Sequence, residues 1–253
     1  CEQKVLDYYE CLQLEIADTL LEMAGSVKKY MPKMQVGAYY GYVFGMGTFP
    51  AEGQTLALEK VLSSTNIDFL SSPYSYRSSA RNKGGDAMPR IIPEVFIRNR
   101  KLALNELDIR TFKTTNDGYH DVQTADESAQ IFLRDMCLSF MSGIGLHLVD
   151  MMGPTSPQWF NHPKIYTAIH QALAQWNEIR NSRRPSSNDI AVIFNYKEQY
   201  LHGHPLASQQ AFNEIIGDMS LSALYHSGHC FDLLSMDGFL QSTKQFKTYI
   251  FLN

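Results

Sequence analysis

Two carboxylates and a guanidinium, Glu106, Asp108 and Arg110, follow at once on the short apolar run Leu102-Ala-Leu104 within Lys101-Leu-Ala-Leu-Asn-Glu-Leu-Asp-Ile-Arg-Thr-Phe112. A run of that kind predicts a fully buried strand. Carboxylates placed where a buried strand ends are held by rigid backbone and face an opening. In parallel α/β folds, and in barrels above all, that edge of the sheet carries the active site. The chemistry open to such a group is attack on a bound substrate or transfer of a proton to it. The plainer alternative is a structural ion pair between Asp108 and Arg110 with Glu106 solvated.

Aromatic and polar residues recur at the ends of the other expected strands. Tyr39, Tyr40, Tyr74, Tyr76 and Trp159 could offer aromatic platforms to the apolar face of a ligand, and a phenol can hydrogen-bond a nucleophile or a hydroxyl. Packing of the strand ends is the competing role for each. His147 and Asp150 could bind hydroxyl groups; a core histidine with a backbone partner is the alternative for His147. His202-Gly-His204 is weak as a metal motif because no third ligand stands near it, and it reads as a loop. Ser227, His229 and Cys230 invite a hydrolase reading, but Cys230 starts a strand rather than a nucleophile elbow and is expected to pack. The glycines at 41, 45 and 47 lack phosphate-cradle spacing and read as a turn.

The elements that would position these residues follow from periodicity and punctuation. Helices are expected over Val5–Met31, stopped by Pro32, over Thr55–Ser63, Asn161–Arg180 and Ser208–Ser227, with a short helix or turn over Pro93–Arg98. Thr124-Ala-Asp-Glu127 has the form of a capping box and opens a helix to about Met141. Strands are expected at Met34–Val43, Ile67–Ser72, up to Glu106, Gly143–Met152, Asp189–Phe194, Cys230–Leu234 and from Tyr249. Arg77–Arg90 and residues 113–123 read as polar loops, and residues 181–188 as a linker. The repeated strand–loop–helix order makes a parallel sheet with right-handed crossovers the default.

Composition narrows the classes of function. The 253 residues suit one barrel-sized domain or two smaller ones, and net charge is only −4. No basic cluster exceeds Arg183-Arg184, which argues against a nucleic-acid partner. No apolar run approaches the roughly 20 residues of a membrane helix. No basic-then-apolar leader pattern opens the chain. The compartment stays open, the cytoplasm being favoured. Cys1, Cys11, Cys137 and Cys230 are scattered, so reduced, partly buried thiols are expected. A chain opening on Cys suggests processing or a fragment, the latter fitting better with the elements that follow.

Taken in order, Tyr39-Tyr-Gly-Tyr42, Ser71-Ser-Pro-Tyr-Ser-Tyr76, Asn105-Glu-Leu-Asp-Ile-Arg-Thr111, and His147-Leu-Val-Asp150 with Trp159-Phe160 resemble the second half of the barrel in family 42 glycoside hydrolases, the β-galactosidase-like enzymes. The later strand at 190–194 and Ser227-Gly-His-Cys-Phe-Asp232 resemble their amidotransferase-like trimerisation domain. The resemblance implies the C-terminal half of a (β/α)8 TIM barrel over residues 1–180, strands five to eight. A truncated, flavodoxin-like three-layer α/β domain would follow over 189–253. It implies a retaining glycosidase with a carbohydrate substrate, no metal or other cofactor, and a homotrimer. Glu106 matches the nucleophile, while the acid/base carboxylate would lie upstream of Cys1. Such enzymes hold the two carboxyl groups about 5–5.5 Å apart. Tyr39, Tyr40, Tyr74, Tyr76, Arg110, His147, Asp150 and Trp159 are the expected substrate-binding residues. Leu107 and Phe112 depart from the pattern, which has an acidic residue and a histidine there. That departure motivates an alternative, a non-catalytic glycan-binding relative; an oligomerisation module is a third reading. Four strands cannot close an eight-stranded barrel, so exposed sheet edges and an exposed apolar face are expected.

Overall fold

The computed structural model describes residues 3–44, 53–114, 121–150, 158–181, 188–202 and 214–252. Its elements in chain order are α1 (Gln3–Tyr30), β1 (Gly37–Tyr39), α2 (Leu58–Ser63), β2 (Phe69–Pro73), α3 (Ser78–Arg81), α4 (Pro93–Arg98), β3 (Leu102–Leu107), α5 (Ala125–Met141), β4 (Gly145–Leu148) and α6 (Pro163–Asn181). There follow β5 (Ile190–Phe194), a 3-10 helix (Tyr196–His202), a π-helical stretch (Glu214–Met219) running into α7 (Ser220–His226), β6 (Phe231–Ser235), α8 (Met236–Gln241) and β7 (Thr248–Phe251). The fold is mixed α/β with parallel sheets. One sheet has the order β1-β2-β3-β4, the other β6-β5-β7. β1 and β2 pair in parallel with Gly37 opposite Phe69, and β5 pairs in parallel with both β6 and β7.

Contacts divide the chain into two units, one of Cys1–Ser72, Arg90–Leu104 and Asn188–Asn253, the other of Pro73–Pro89 and Asn105–Ser187. In the first, α1 buries a narrow face of Gln13, Ala17 and Ala24, and the buried Gln13 Oε1 accepts from the Leu56 amide at 2.9 Å. Around β5, Ala191, Ile193, Leu234 and Phe246 form a small core. Glu94 on α4 accepts from the Ser235 amide and hydroxyl at 3.2 and 3.0 Å, and Phe44 lies 4.8 Å from Phe194.

An apolar core in the second unit includes Tyr74, Leu107, Phe132, Phe140, Trp159 and Phe160. Helix α5 begins at a complete capping box: the Glu127 amide donates to Thr124 Oγ1 at 3.2 Å, and Thr124 N–H returns the bond to Glu127 Oε2 at 3.0 Å. It ends where Gly143, at φ +74°, enters the left-handed region and the amides of Gly143 and Ile144 bond to Phe140 and Ser139 carbonyls. Gly143 therefore closes a helix, and the strand expected from it starts two residues later.

Several expectations need correction. β1 is three residues long, against the ten expected, and a bend and irregular backbone replace the rest. Within Arg77–Arg90 the chain makes the single turn α3. β3 is not fully buried. Ala103, Asn105 and Leu107 are buried, but Leu102 is 50% exposed and Leu104 and Glu106 are half-buried, so the two faces of the strand are unequally covered. Cys11 and Cys230 are free and exposed, and among the described cysteines only Cys137 is partly buried; Cys230 precedes β6 and does not pack. Most of the glycine turn at 41–50, the core of the 113–123 loop, Met151-Met152, the 182–187 stretch, His204 and residues 208–213 lie outside the described residues.

Candidate functional site

On β3 the side chains alternate between two faces. Asn105 turns toward α5, where its Nδ2 donates to Ser139 Oγ at 2.9 Å. Glu106 takes the opposite face with Leu102 and Leu104. It sits one residue before the strand's last, with 13% of its side chain exposed, and its Oε2 lies 3.3 Å from His147 Nε2 on β4. With its proton on Nε2 the imidazole donates to that carboxylate, leaving the other carboxylate oxygen, Oε1, outside this contact.

Two residues on, Asp108 is wholly buried and meets three donors. Arg81 Nη2 donates to Oδ1 at 2.7 Å, and Tyr76 Oη donates to Oδ2 at 3.0 Å. Arg110 Nη1 completes the set at Oδ2 and also donates to the Asp108 carbonyl at 2.8 Å. The Arg81 guanidinium, 2% exposed, lies 4.0 Å from the Tyr74 ring centroid and 3.9 Å from that of Tyr76. Arg110 lies 5.2 Å from the Trp159 ring centroid. Burial first, and the Asp108 charge second, push the Tyr76 phenol above its ordinary pKa of 10.0, so near neutrality it is a hydrogen-bond donor. Burial does the same more strongly to Tyr74. The structural ion pair between Asp108 and Arg110, the plainer alternative for these residues, is present, and a second arginine shares it.

Asp150 accepts from the Trp159 and Phe160 amides at 3.1 and 3.3 Å, while Thr111 Oγ1 donates to the Trp159 carbonyl at 2.8 Å. Both contacts hold the returning chain, and Trp159 is buried. The second unit thus gathers Tyr74, Tyr76, Glu106, Arg110, His147, Asp150 and Trp159. Tyr74 lies inside its core, with packing as its evident role there. Tyr39 and Tyr40 belong to the first unit. Tyr39 is 55% exposed, whereas Tyr40 is buried with its hydroxyl accepting from the Ala57 amide at 3.2 Å.

The residue that sequence reasoning missed is Arg81. It stands in a polar stretch with Arg77 and Arg90, and nothing in that stretch distinguishes it until α3 turns it inward. Among the described residues no cluster of three His, Cys, Asp or Glu side chains could hold a metal ion, and no helix is long and apolar enough to cross a membrane. No family model matches the chain, and no curated protein or solved structure matches it.

Proposed function

We propose that this chain supplies the nucleophile side of a retaining glycosidase site acting on terminal β-galactosides or similar small glycosides. The observation that carries the reading is Glu106, presented near the end of a parallel strand, on the face that α5 does not cover, with an imidazole 3.3 Å from one carboxylate oxygen. In the proposed reaction a Glu106 oxygen attacks the anomeric carbon. The bond to the leaving oxygen breaks as that oxygen takes a proton from an acid/base carboxylate, which the resemblance puts upstream of Cys1. Water, deprotonated by the same carboxylate, then displaces Glu106 and regenerates it. His147 orients the nucleophile, and the buried charges at Asp108 fix the backbone two residues beyond it.

The strand order β1-β2-β3-β4 supports a barrel segment, and the half-exposed face of β3 supports a barrel interior. The order β6-β5-β7 is how a flavodoxin-like sheet begins, which supports the later domain and, with it, assembly into trimers. Glu106→Gln in the full-length protein tests the reading. Hydrolysis of an aryl β-galactoside should fall by about 10³-fold or more, while sugar binding persists. Activity kept within about tenfold removes Glu106 from the nucleophile role.

A further inference from the structure

Helix α5 holds the strand that presents Glu106 in two ways. One is direct, from Asn105 Nδ2 to Ser139 Oγ at 2.9 Å. The other runs through α3. Arg134 Nη1 donates to the Asn82 carbonyl at 2.7 Å, and Nη2 donates to those of Ala80 and Arg81 at 3.0 and 3.4 Å. Its Nε donates to Asp135 Oδ1 at 2.7 Å, and the Asp135 side chain is fully buried, so the fork is fixed at both ends. The three carbonyls close the last turn of α3, which has only four residues and no side-chain cap at its start. One turn cannot hold itself in water, because nucleation costs more than a single turn returns. What α3 presents inward is Arg81, which grips both the carboxylate and the carbonyl of Asp108, at 2.7 and 3.3 Å.

We propose that Arg134 is a positioning residue for the strand end carrying Glu106, acting through the carbonyls of Ala80, Arg81 and Asn82 on Arg81 and through Arg81 on Asp108. The inference rests on the glycosidase reading for its consequence in catalysis, but the mechanical link stands without it. A guanidinium is required because three carbonyls in one arc need a planar fork, and an ammonium is a single point of donation.

The test uses the full-length protein with Arg134→Ala and Arg134→Lys. Amide exchange should quicken together at residues 77–82 and 105–110 in Arg134→Ala, with α6 unchanged and Arg134→Lys between it and wild type. Displacing a nucleophile by an ångström costs about 10²-fold, so kcat should fall roughly 10- to 100-fold with KM within about threefold. Millimolar guanidinium should restore part of the Arg134→Ala rate, a response that a general loss of packing would not give. Unchanged exchange at 105–110, or a change in KM alone, overturns the proposal. If Arg134→Ala does not fold, the lysine variant decides by the same exchange readout. If the wild type hydrolyses no glycoside, the glycosidase reading fails, and exchange alone still decides the link.

Discussion

Asp108→Asn isolates the charge at the centre of the second unit, because it keeps the shape and removes one acceptor. Asp108 is 0% exposed and Arg81 2%, so neither ion has water to fall back on. The amide can be placed two ways. With its oxygen toward Arg81, the new NH2 faces the Tyr76 hydroxyl, which can turn and accept, and Arg110, which cannot. Arg110 is 10% exposed and retains some access to solvent, so this is the cheaper choice. The reverse placement sets the new NH2 donor against Arg81 Nη2, also a donor, in a dry site. Either way two guanidiniums lose their shared counter-ion. Removing one partner of a buried pair costs about 3–5 kcal/mol, and the first placement puts Asn at the lower end. For a chain of this size that is a fall of about 6–12 °C in Tm. The assay is urea unfolding with a thermal melt beside it. Asp126→Asn serves as control, since Asp126 pairs with Lys164 on the surface and should change stability by no more than about 0.5 kcal/mol. A loss below about 1 kcal/mol for Asp108→Asn would refute the claim that this charge is dry and shared.

Burial pushes the Asp135 carboxyl from its ordinary 3.8 to about 6, against the pull of Arg134 and Arg81. The native state then binds this proton more tightly than the unfolded chain. Its contribution is full below about pH 4 and is lost as pH rises to about 6, on the order of 3 kcal/mol. Urea unfolding of Asp135→Asn should therefore gain on the wild type by that order between pH 4 and pH 7.5, and a pH-independent difference would refute it. Thr124→Ala removes the acceptor for the Glu127 amide and should cost about 1 kcal/mol by the same assay, with Thr124→Asp near wild type. A Cβ on Gly85 would lie 2.5 Å from the Ala80 carbonyl oxygen and 2.7 Å from that of Ser79. Gly85→Ala should thus cost about 1–3 kcal/mol and raise amide exchange at 77–82.

The parts that local rules govern were legible in the sequence. Thr124 and Glu127 define the start of α5, Pro93 the start of α4, and the alternation of helical and extended patterns the parallel sheets. These signals lie within a few residues of one another, where capping and periodicity act. What was not legible depends on distant partners. Leu102-Ala-Leu104 is apolar throughout, as a strand buried on both faces would be, yet on one face Leu102 is half exposed and Leu104 is only half-buried. Nothing in Arg77–Arg90 distinguishes Arg81 from its neighbours until Asp108, 27 positions away, comes within 2.7 Å. Asp108 and Arg110 were visible as a pair because they are adjacent in sequence; their third partner was not.

The same distinction bears on what the charged cluster is for. A buried ion pair gains little stability over apolar residues of the same volume, since desolvation offsets most of the attraction. Asp108, Arg81 and Arg110 are therefore a poor way to hold the second unit together, and its apolar core around Phe132 and Phe160 does that work. Their advantage is directional. A carboxylate with three donors, two of them from planar guanidiniums that also bond its backbone carbonyl, has few orientations left to it. Rigidity at Asp108 limits the backbone at Glu106, two residues earlier, and from the other face Asn105 and Ser139 limit it again. A carboxylate that merely needed solvation would have no use for such constraint. A nucleophile, the role proposed for Glu106, would.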